Sequence, residues 1–342
     1  MSPSSPDGRY GRQVRVAGFG PEGQERLFAA TVAIVGIGAL GSRVAEDLAR
    51  AGVGRLRLID RDWVEPSNLH RQHLFDESDA ENEEPKALAA AHRLAAINSE
   101  IELVPELRDL GPDNADDLLS DADLVVDGTD NFQTRYLLND FCVREGKPWI
   151  YGACVSTQAM VAPFLPERAC LRCLFPEPPP ASAAQTCETA GILPPAAAIV
   201  TALQCALALR ILATDSLPAA ELLTADVLSG ELRTMRLLEA PSDACPACQR
   251  RDFPALALGS QSRTKKLCGR NAVQLSAPAG ECLPLEALAA RLVDFAPELS
   301  SYMLRITVPE ARITVFPGGR AIVQGTEDEG RARALFDRYV GS

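Results

Sequence analysis

The chain has 342 residues, 46% hydrophobic and 23% charged, which is more than one core usually serves and predicts one large domain with an appendage. This composition excludes a disordered chain, a collagen and a coiled coil. Acidic residues outnumber basic ones, 46 to 34, for a net charge of -12. That balance argues against nucleic acid as a partner, because phosphate binding needs a basic face.

Residues 1–15 contain no apolar run, so no signal peptide is expected. Ten cysteines without such a signal predict reduced thiols in a cytoplasmic setting. In chain order, 31–35 reads as a strand, 42–52 as a helix, 55–59 as a strand and 85–98 as a helix. Strands at 101–105 and 124–126 and a helix at 132–145 follow. The alternation predicts βαβ units: an α/β fold, Rossmann-like and doubly wound, with a mostly parallel sheet. The acidic run 76–84 reads as a solvated loop. Six prolines in 176–195 predict an irregular, mobile loop. The apolar stretch 192–213 carries Pro194, Pro195, Gln204 and Arg210, which fits a buried helix opened by proline and no membrane span. A linker-like exit at 240–258 divides the chain into a large domain, 1–254, and a small α+β module, 255–342. In that module 272–276, 303–308, 312–316 and 321–324 read as strands and 284–296 and 327–339 as helices. Pro317-Gly318-Gly319 reads as a hairpin turn. The module either docks a partner or covers the main domain.

Gly36-Ile37-Gly38-Ala39-Leu40-Gly41 stands between a predicted strand and helix. Glycines there allow close backbone approach to a phosphate, which a helix N-terminus stabilises. Asp60 ends the next strand, 19 residues after Gly41, where a carboxylate can accept from ribose hydroxyls. Both NAD and ATP fit so far. The segment that follows, Asp60-Arg61-Asp62-Trp63-Val64-Glu65-Pro66-Ser67-Asn68-Leu69-His70-Arg71-Gln72, and then Lys86, place cations beside the ribose position, as triphosphate chemistry requires and hydride transfer does not.

These residues, with Arg9-Tyr10-Gly11-Arg12-Gln13 and Asp127-Gly128-Thr129-Asp130-Asn131-Phe132, resemble the ThiF/MoeB adenylyltransferases, bacterial relatives of the ubiquitin-activating enzymes. The likeness runs from about Arg9 to Cys248. It implies ATP-dependent adenylation of the C-terminal glycine carboxylate of a ubiquitin-like sulfur-carrier protein, for thiamine, molybdopterin or related sulfur transfer. It implies that Gly36, Gly38, Ala39 and Gly41 line the nucleotide and that Asp60 holds the ribose. Asp62, Ser67 and Asn131 are placed against the nucleotide, Asn68, Arg71 and Lys86 on its phosphates, and Asp130 on magnesium. Arg12 resembles an arginine that reaches into the partner's active site, which implies a homodimer. Arg135 and Asn139 match further family positions, and Ala39 stands where many members have glycine. A sulfurtransferase or cysteine desulfurase is a further implied partner. The carrier's carboxylate is already ionised, so catalysis reduces to positioning and charge neutralisation by Arg12, Arg71, Lys86 and magnesium.

Cys170 and Cys173, with Cys245 and Cys248, form two C-x-x-C pairs separated by 71 residues. Four thiolates suit a closed, structural zinc site, and the family has such pairs; a thioredoxin-like redox role is the rival. Cys187 matches a family cysteine that links covalently to the carrier in thiamine-type members and is dispensable in molybdopterin-type ones. Cys142, Cys154 and Cys205 read as core residues, and His70, His73 and His92 lack ligand spacing. Alternatives to the carrier adenylyltransferase are a member acting on a small molecule or tRNA base, a non-catalytic carrier-binding scaffold, and an NAD dehydrogenase.

Overall fold

The first of two units is built on eight strands: β1 (Thr31–Val35), β2 (Arg55–Ile59), β3 (Glu102–Glu106), β4 (Leu124–Asp127), β5 (Trp149–Val155), β6 (Gln158–Phe164), β7 (Glu221–Asp226) and β8 (Glu231–Arg236). The computed structural model describes residues 5, 8–178, 190–214, 216–237, 240–257, 264–267, 271–275, 284–300, 302–317 and 319–341. The units are Met1–Gly259 and Ser260–Ser342. The first sheet runs β3-β2-β1-β4-β5-β6-β7-β8, parallel from β3 through β5 and antiparallel from β5 onward.

Within β1 and β4 the side chains between the end residues are apolar on both faces, as a sheet sandwiched between helices requires. Side chains along β1 alternate between two cores. Val32 and Ile34 join Leu48, Leu56 and Leu94 on one side, under the helices Gly41–Ala51, Lys86–Ile97 and Pro194–Ala213. Ala33 and Val35 join Leu138, Phe141 and Trp149 on the other, under the helices Ala115–Leu119 and Phe132–Glu145. The expected doubly wound, mostly parallel sheet is therefore present. After β1 the chain winds outward to β2 and β3, and after β4 it winds the other way, so the C-terminal ends of β1 and β4 flank a topological switch point. Ligands of open α/β sheets bind in that crevice.

The acidic run departs from the expected loop, since Glu77–Glu81 is a short helix. Asp76 accepts from the Asp79 N–H at 3.1 Å and Asp79 accepts from the Asp76 N–H at 2.9 Å, a capping box that turns carboxylates into helix starters. Arg93 donates to both carboxylates. Of the proline-rich stretch, residues 179–189 lie outside the described residues, and the chain is helical again from Pro194. The helix Pro194–Ala213 is long and apolar enough to cross a membrane, yet Ala196, Ala197, Val200, Gln204, Cys205 and Ala208 are buried inside the unit. It packs on β5 and β6, and the Gln204 carboxamide donates to the Asp127 carbonyl at 2.8 Å.

Among the described residues the second unit has six strands: β9 (Thr264–Leu267), β10 (Ala272–Leu275), β11 (Glu298–Leu299), β12 (Leu304–Val308), β13 (Ala311–Val315) and β14 (Ala321–Gln324). Their order is β11-β12-β13-β14-β10-β9, every neighbour antiparallel. Leu285 and Leu288 of one helix, with Ala332 and Leu335 of another, close over Val273, Ile306, Ile313 and Val323. This is the α+β module expected, with β9 and β11 added. The Phe316 N–H donates to Arg320 at 2.8 Å across the β13–β14 turn, in which Gly318 lies outside the described residues.

Candidate nucleotide site and cysteine cluster

Both loops at the switch point are held together by glycines. Gly36 has φ +85°, donates its N–H to Ile59 at 2.8 Å, and a Cβ on it would stand 2.9 Å from the Gly128 carbonyl oxygen. A Cβ on Gly41 would stand 1.8 Å from the Gly36 oxygen. The loop after β1 therefore nests against the loop after β4 and admits no side chain at either point. Gly38 is different: the nearest atom to a Cβ there is Gln72 Nε2, at 3.8 Å. Among the described residues the N–H groups of Gly38, Ala39, Leu40 and Gly41 have no hydrogen-bond acceptor. They open the helix Gly41–Ala51, an arrangement that attracts anions. The Ala39 methyl packs against the hydrophobic core, which is why alanine is tolerated in this loop.

Asp60, at the end of β2, braces the loop. Its Oδ2 accepts from the Ile37 N–H at 2.6 Å and its Oδ1 from the Asp62 N–H at 2.7 Å. Burial pushes its carboxyl pKa upward, against the pull of nearby Lys86. The Lys86 side chain is only 6% exposed, with Nζ 3.8 Å from Asp62 Oδ2, while its N–H donates to the Asp62 carbonyl at 2.9 Å. A 3-10 turn, Pro66–Asn68, follows. Ser67 is exposed, and Arg71 folds back to donate to the Ser67 carbonyl at 2.8 Å. Asn68 and Gln72 are buried, and Asn68 Oδ1 and Gln72 Oε1 have no hydrogen-bond partner.

Beneath the β4 end lies a polar hub; the sequence reading named Arg135 as a family position without its pairing to Asp127. Asp127 is fully buried and accepts from Arg135 Nε at 2.9 Å, the Thr129 N–H at 2.9 Å and Thr129 Oγ1 at 2.6 Å. Arg135 also donates to the carbonyls of Thr129 and Gly152, at 2.7 and 2.8 Å. The available signal was a strand ending in aspartate with an arginine eight residues on. Asp130 and Asn131 are exposed. Asn131 Oδ1 accepts from the Thr134 N–H at 2.9 Å and so caps the helix Phe132–Glu145.

The structure does not bring Arg12 to its own chain's glycine loop. Tyr10 Oη accepts from Asn98 Nδ2 at 2.8 Å, and Gln13 donates to Gln24 Oε1 and to the Ala51 carbonyl at 2.7 and 2.8 Å. A Cβ on Gly52 would stand 2.6 Å from the Tyr10 ring. These anchors fix the segment at the C-terminal end of the helix Gly41–Ala51, about 15 Å from the loop at the opposite end. Arg12 is exposed and makes no hydrogen bond or ion pair among the described residues.

The four predicted cysteines do converge. Cys170 Sγ lies 3.9 Å from Cys173 Sγ and 3.6 Å from Cys245 Sγ, and Cys173 Sγ lies 3.3 Å from Cys248 Sγ. All four sulfurs fall within 4.8 Å of one another and none is in a disulfide. A tetrahedron with zinc–sulfur bonds of about 2.3 Å sets its sulfurs about 3.8 Å apart, so the donors fit that ion. Burial, with Cys173 and Cys245 adding to it, pushes the Cys170 thiol up to about 12. The first pair is tied to the helix Phe132–Glu145. Asn139 Oδ1 accepts from the Leu171 N–H at 2.8 Å, and buried Asp140 accepts from Arg172 at 2.6 and 2.8 Å. Asp140 also accepts from the Ala255 N–H at 2.9 Å, just past the second pair. Cys142, Cys154 and Cys205 are buried core residues, and Cys187 lies outside the described residues.

An anion-ready glycine loop at a switch point, flanked by a buried lysine and joined by one helix to a four-thiol cluster, defines a nucleotide-binding protein of the doubly wound α/β class. Residues 10–247 match the ThiF family, and the chain belongs to it. It is similar to the sulfur carrier protein ThiS adenylyltransferase of Bacillus subtilis (strain 168), 39% identical over 337 residues, 98% of this chain and 99% of that one. The similarity therefore runs through the second unit. A sulfur carrier protein adenylyltransferase of Thermus thermophilus is 42% identical over 247 residues, 70% of this chain and 90% of its own. The adenylyltransferase and sulfurtransferase MOCS3 of Bos taurus is 40% identical over 248 residues, 71% and 53% of the two chains. A crystal structure of E. coli MccB with MccA-N7isoASN shares the fold, with a TM-score of 0.64 and 24% identity over 72% of this chain and 75% of that one.

Proposed function

We propose that the chain is an ATP-dependent adenylyltransferase acting on the C-terminal glycine carboxylate of a ubiquitin-like sulfur-carrier protein, for thiamine, molybdopterin or related sulfur transfer. The observation that carries this reading is the similarity along 98% of the chain to a ThiS adenylyltransferase. The carrier's carboxylate is ionised at neutral pH and needs no general base. Its oxygen bonds to the α-phosphorus, the bond from that phosphorus to the bridging oxygen breaks, and pyrophosphate leaves with the electron pair. The free amides at 38–41, with Arg71 and Lys86, offset the phosphate charge, and electrostatic positioning of this kind is the main catalytic device of such transfers. Gly36, Gly38, Ala39 and Gly41 line the nucleotide, Asp60 and Asp62 face its ribose, and Ser67, Asn68 and Asn131 stand beside it.

Asp130 would hold magnesium, which when bound adds positive charge against the triphosphate. Cys170, Cys173, Cys245 and Cys248 would hold zinc in a structural role, since four thiolates leave no ligand position open. Arg12 serves the partner's site in a homodimer, a reading supported by its exposure and by anchors that hold its segment away from its own loop. The chemistry lies in the first unit, Met1–Gly259, and Ser260–Ser342 form a separate module. Cys187 is a candidate thiol for joining the carrier, a sulfurtransferase or cysteine desulfurase would supply the sulfur, and the setting is cytoplasmic.

The test is carrier-dependent ATP–pyrophosphate exchange. Asp130→Ala should abolish exchange and leave the melting temperature unchanged, because Asp130 is exposed and makes no hydrogen bond among the described residues. Absence of exchange by the intact protein with every glycine-ended carrier of its own genome would overturn the reading.

A further inference from the structure

Among the described residues six carboxamides are buried in the first unit: Gln24, Asn68, Gln72, Asn98, Asn139 and Gln204. Five are engaged. Gln24 and Asn98 bind the Ala51 and Ala49 carbonyls, Gln204 binds the Asp127 carbonyl, Asn139 accepts from Leu171, and Asn68 donates to Ser67 Oγ. Gln72 alone makes no side-chain hydrogen bond among the described residues, although it is only 4% exposed and its Oε1 is fully buried. Its backbone is satisfied: the N–H donates to Asn68 at 3.0 Å and the carbonyl accepts from Phe75 at 3.3 Å. Its Nε2, the donor end, has no acceptor among the described residues and is left to serve a partner from outside the chain.

Its position says which partner. Gln72 Nε2 is the nearest atom to the open side of Gly38, the one loop glycine that meets no backbone. Asn68 lies one helical turn earlier, and residues four apart in such a turn share a face. The free amides at 38–41 attract anions to the same place. The Gln72 NH₂ already lies on that side and can donate to a phosphate oxygen there.

We infer that Gln72 is a nucleotide-binding residue whose carboxamide donates to a phosphate oxygen of ATP above Gly38; this rests on the nucleotide reading of the site. The test is binding of α,β-methylene-ATP to the full chain, by calorimetry and by the shift in melting temperature, for the native protein, Gln72→Leu and Gln72→Glu. Leucine fills the same space without polar atoms, so without nucleotide this variant should melt at or above the native temperature. Its affinity for the analogue should fall about 10- to 100-fold, the loss of one hydrogen bond to a charged group. Glutamate keeps the shape but repels phosphate and should bind more weakly still. Native affinity in Gln72→Leu or in Gln72→Glu would overturn the inference, as would a large fall in the melting temperature of nucleotide-free Gln72→Leu, which would make the carboxamide structural. Failure of the native protein to bind the analogue would overturn the nucleotide reading itself, and this inference with it.

Discussion

Replacing Arg135 by methionine isolates the hub under the β4 end. Methionine retains much of the side-chain length and removes the charge. Asp127, with no exposed surface, would keep the Thr129 N–H and hydroxyl on Oδ1 and lose its only cation on Oδ2. The carbonyls of Thr129 and Gly152 would each lose a donor. Removing one partner of a buried pair costs about 3–5 kcal/mol, because the charge left behind is uncompensated. At about 2–4 °C per kcal/mol for a domain of this size, the first unit should melt about 6–20 °C lower. Asp127→Asn added to Arg135→Met removes the stranded charge and keeps an acceptor for Thr129, so the double variant should recover more than half of the loss. Urea unfolding followed by circular dichroism, read as a double-mutant cycle, gives both numbers. A single variant within about 1 kcal/mol of the native protein, or a double variant less stable than the single, would refute the account of the hub.

Two further outcomes can be checked. Freshly prepared protein should carry about one zinc per chain, and Cys173→Ser should lower both zinc content and melting temperature; well under one zinc by metal analysis would exclude the four-thiolate site. Inactive Arg12→Ala and inactive Asp130→Ala chains, mixed and allowed to exchange subunits, should regain about a quarter of native exchange activity, because half the dimers are mixed and each of those has one complete site. No recovery despite demonstrated exchange would place Arg12 in its own chain's site or in none.

The first part of the fold was legible because β1 and β4 are short apolar runs, β2 alternates Arg55 and Arg57 with Leu56 and Leu58, and helices with clear punctuation separate them. Thr31–Val35, Arg55–Ile59 and Phe132–Glu145 stand where periodicity predicts them. The antiparallel half was not read. β8 is exposed at every residue, and β6 and β7 carry Gln158, Thr224 and Asp226 among their apolar residues, so neither alternation nor a continuous apolar run stood out. At the site, motifs name the residues that face a ligand. Asp127 and Gln204 hold the site from below across 77 residues, and a single sequence carries no pattern at that separation. The acidic run misled because reciprocal capping by Asp76 and Asp79 depends on a backbone geometry that charge alone does not announce.

The helix Phe132–Glu145 ties the β4 end to Cys170 and Cys173, and everything in that connection lies between residues 127 and 173. The second pair of thiols lies 71 residues further along. At ribosomal speeds of about 5–20 residues per second, the first pair is made about 4–14 s before the second. During that interval two thiols must stay reduced and unmatched while the sheet around them is still being extended. Completion of the four-thiol cluster is thus a late event in the birth of the first unit, timed by the distance along the chain between Cys173 and Cys245.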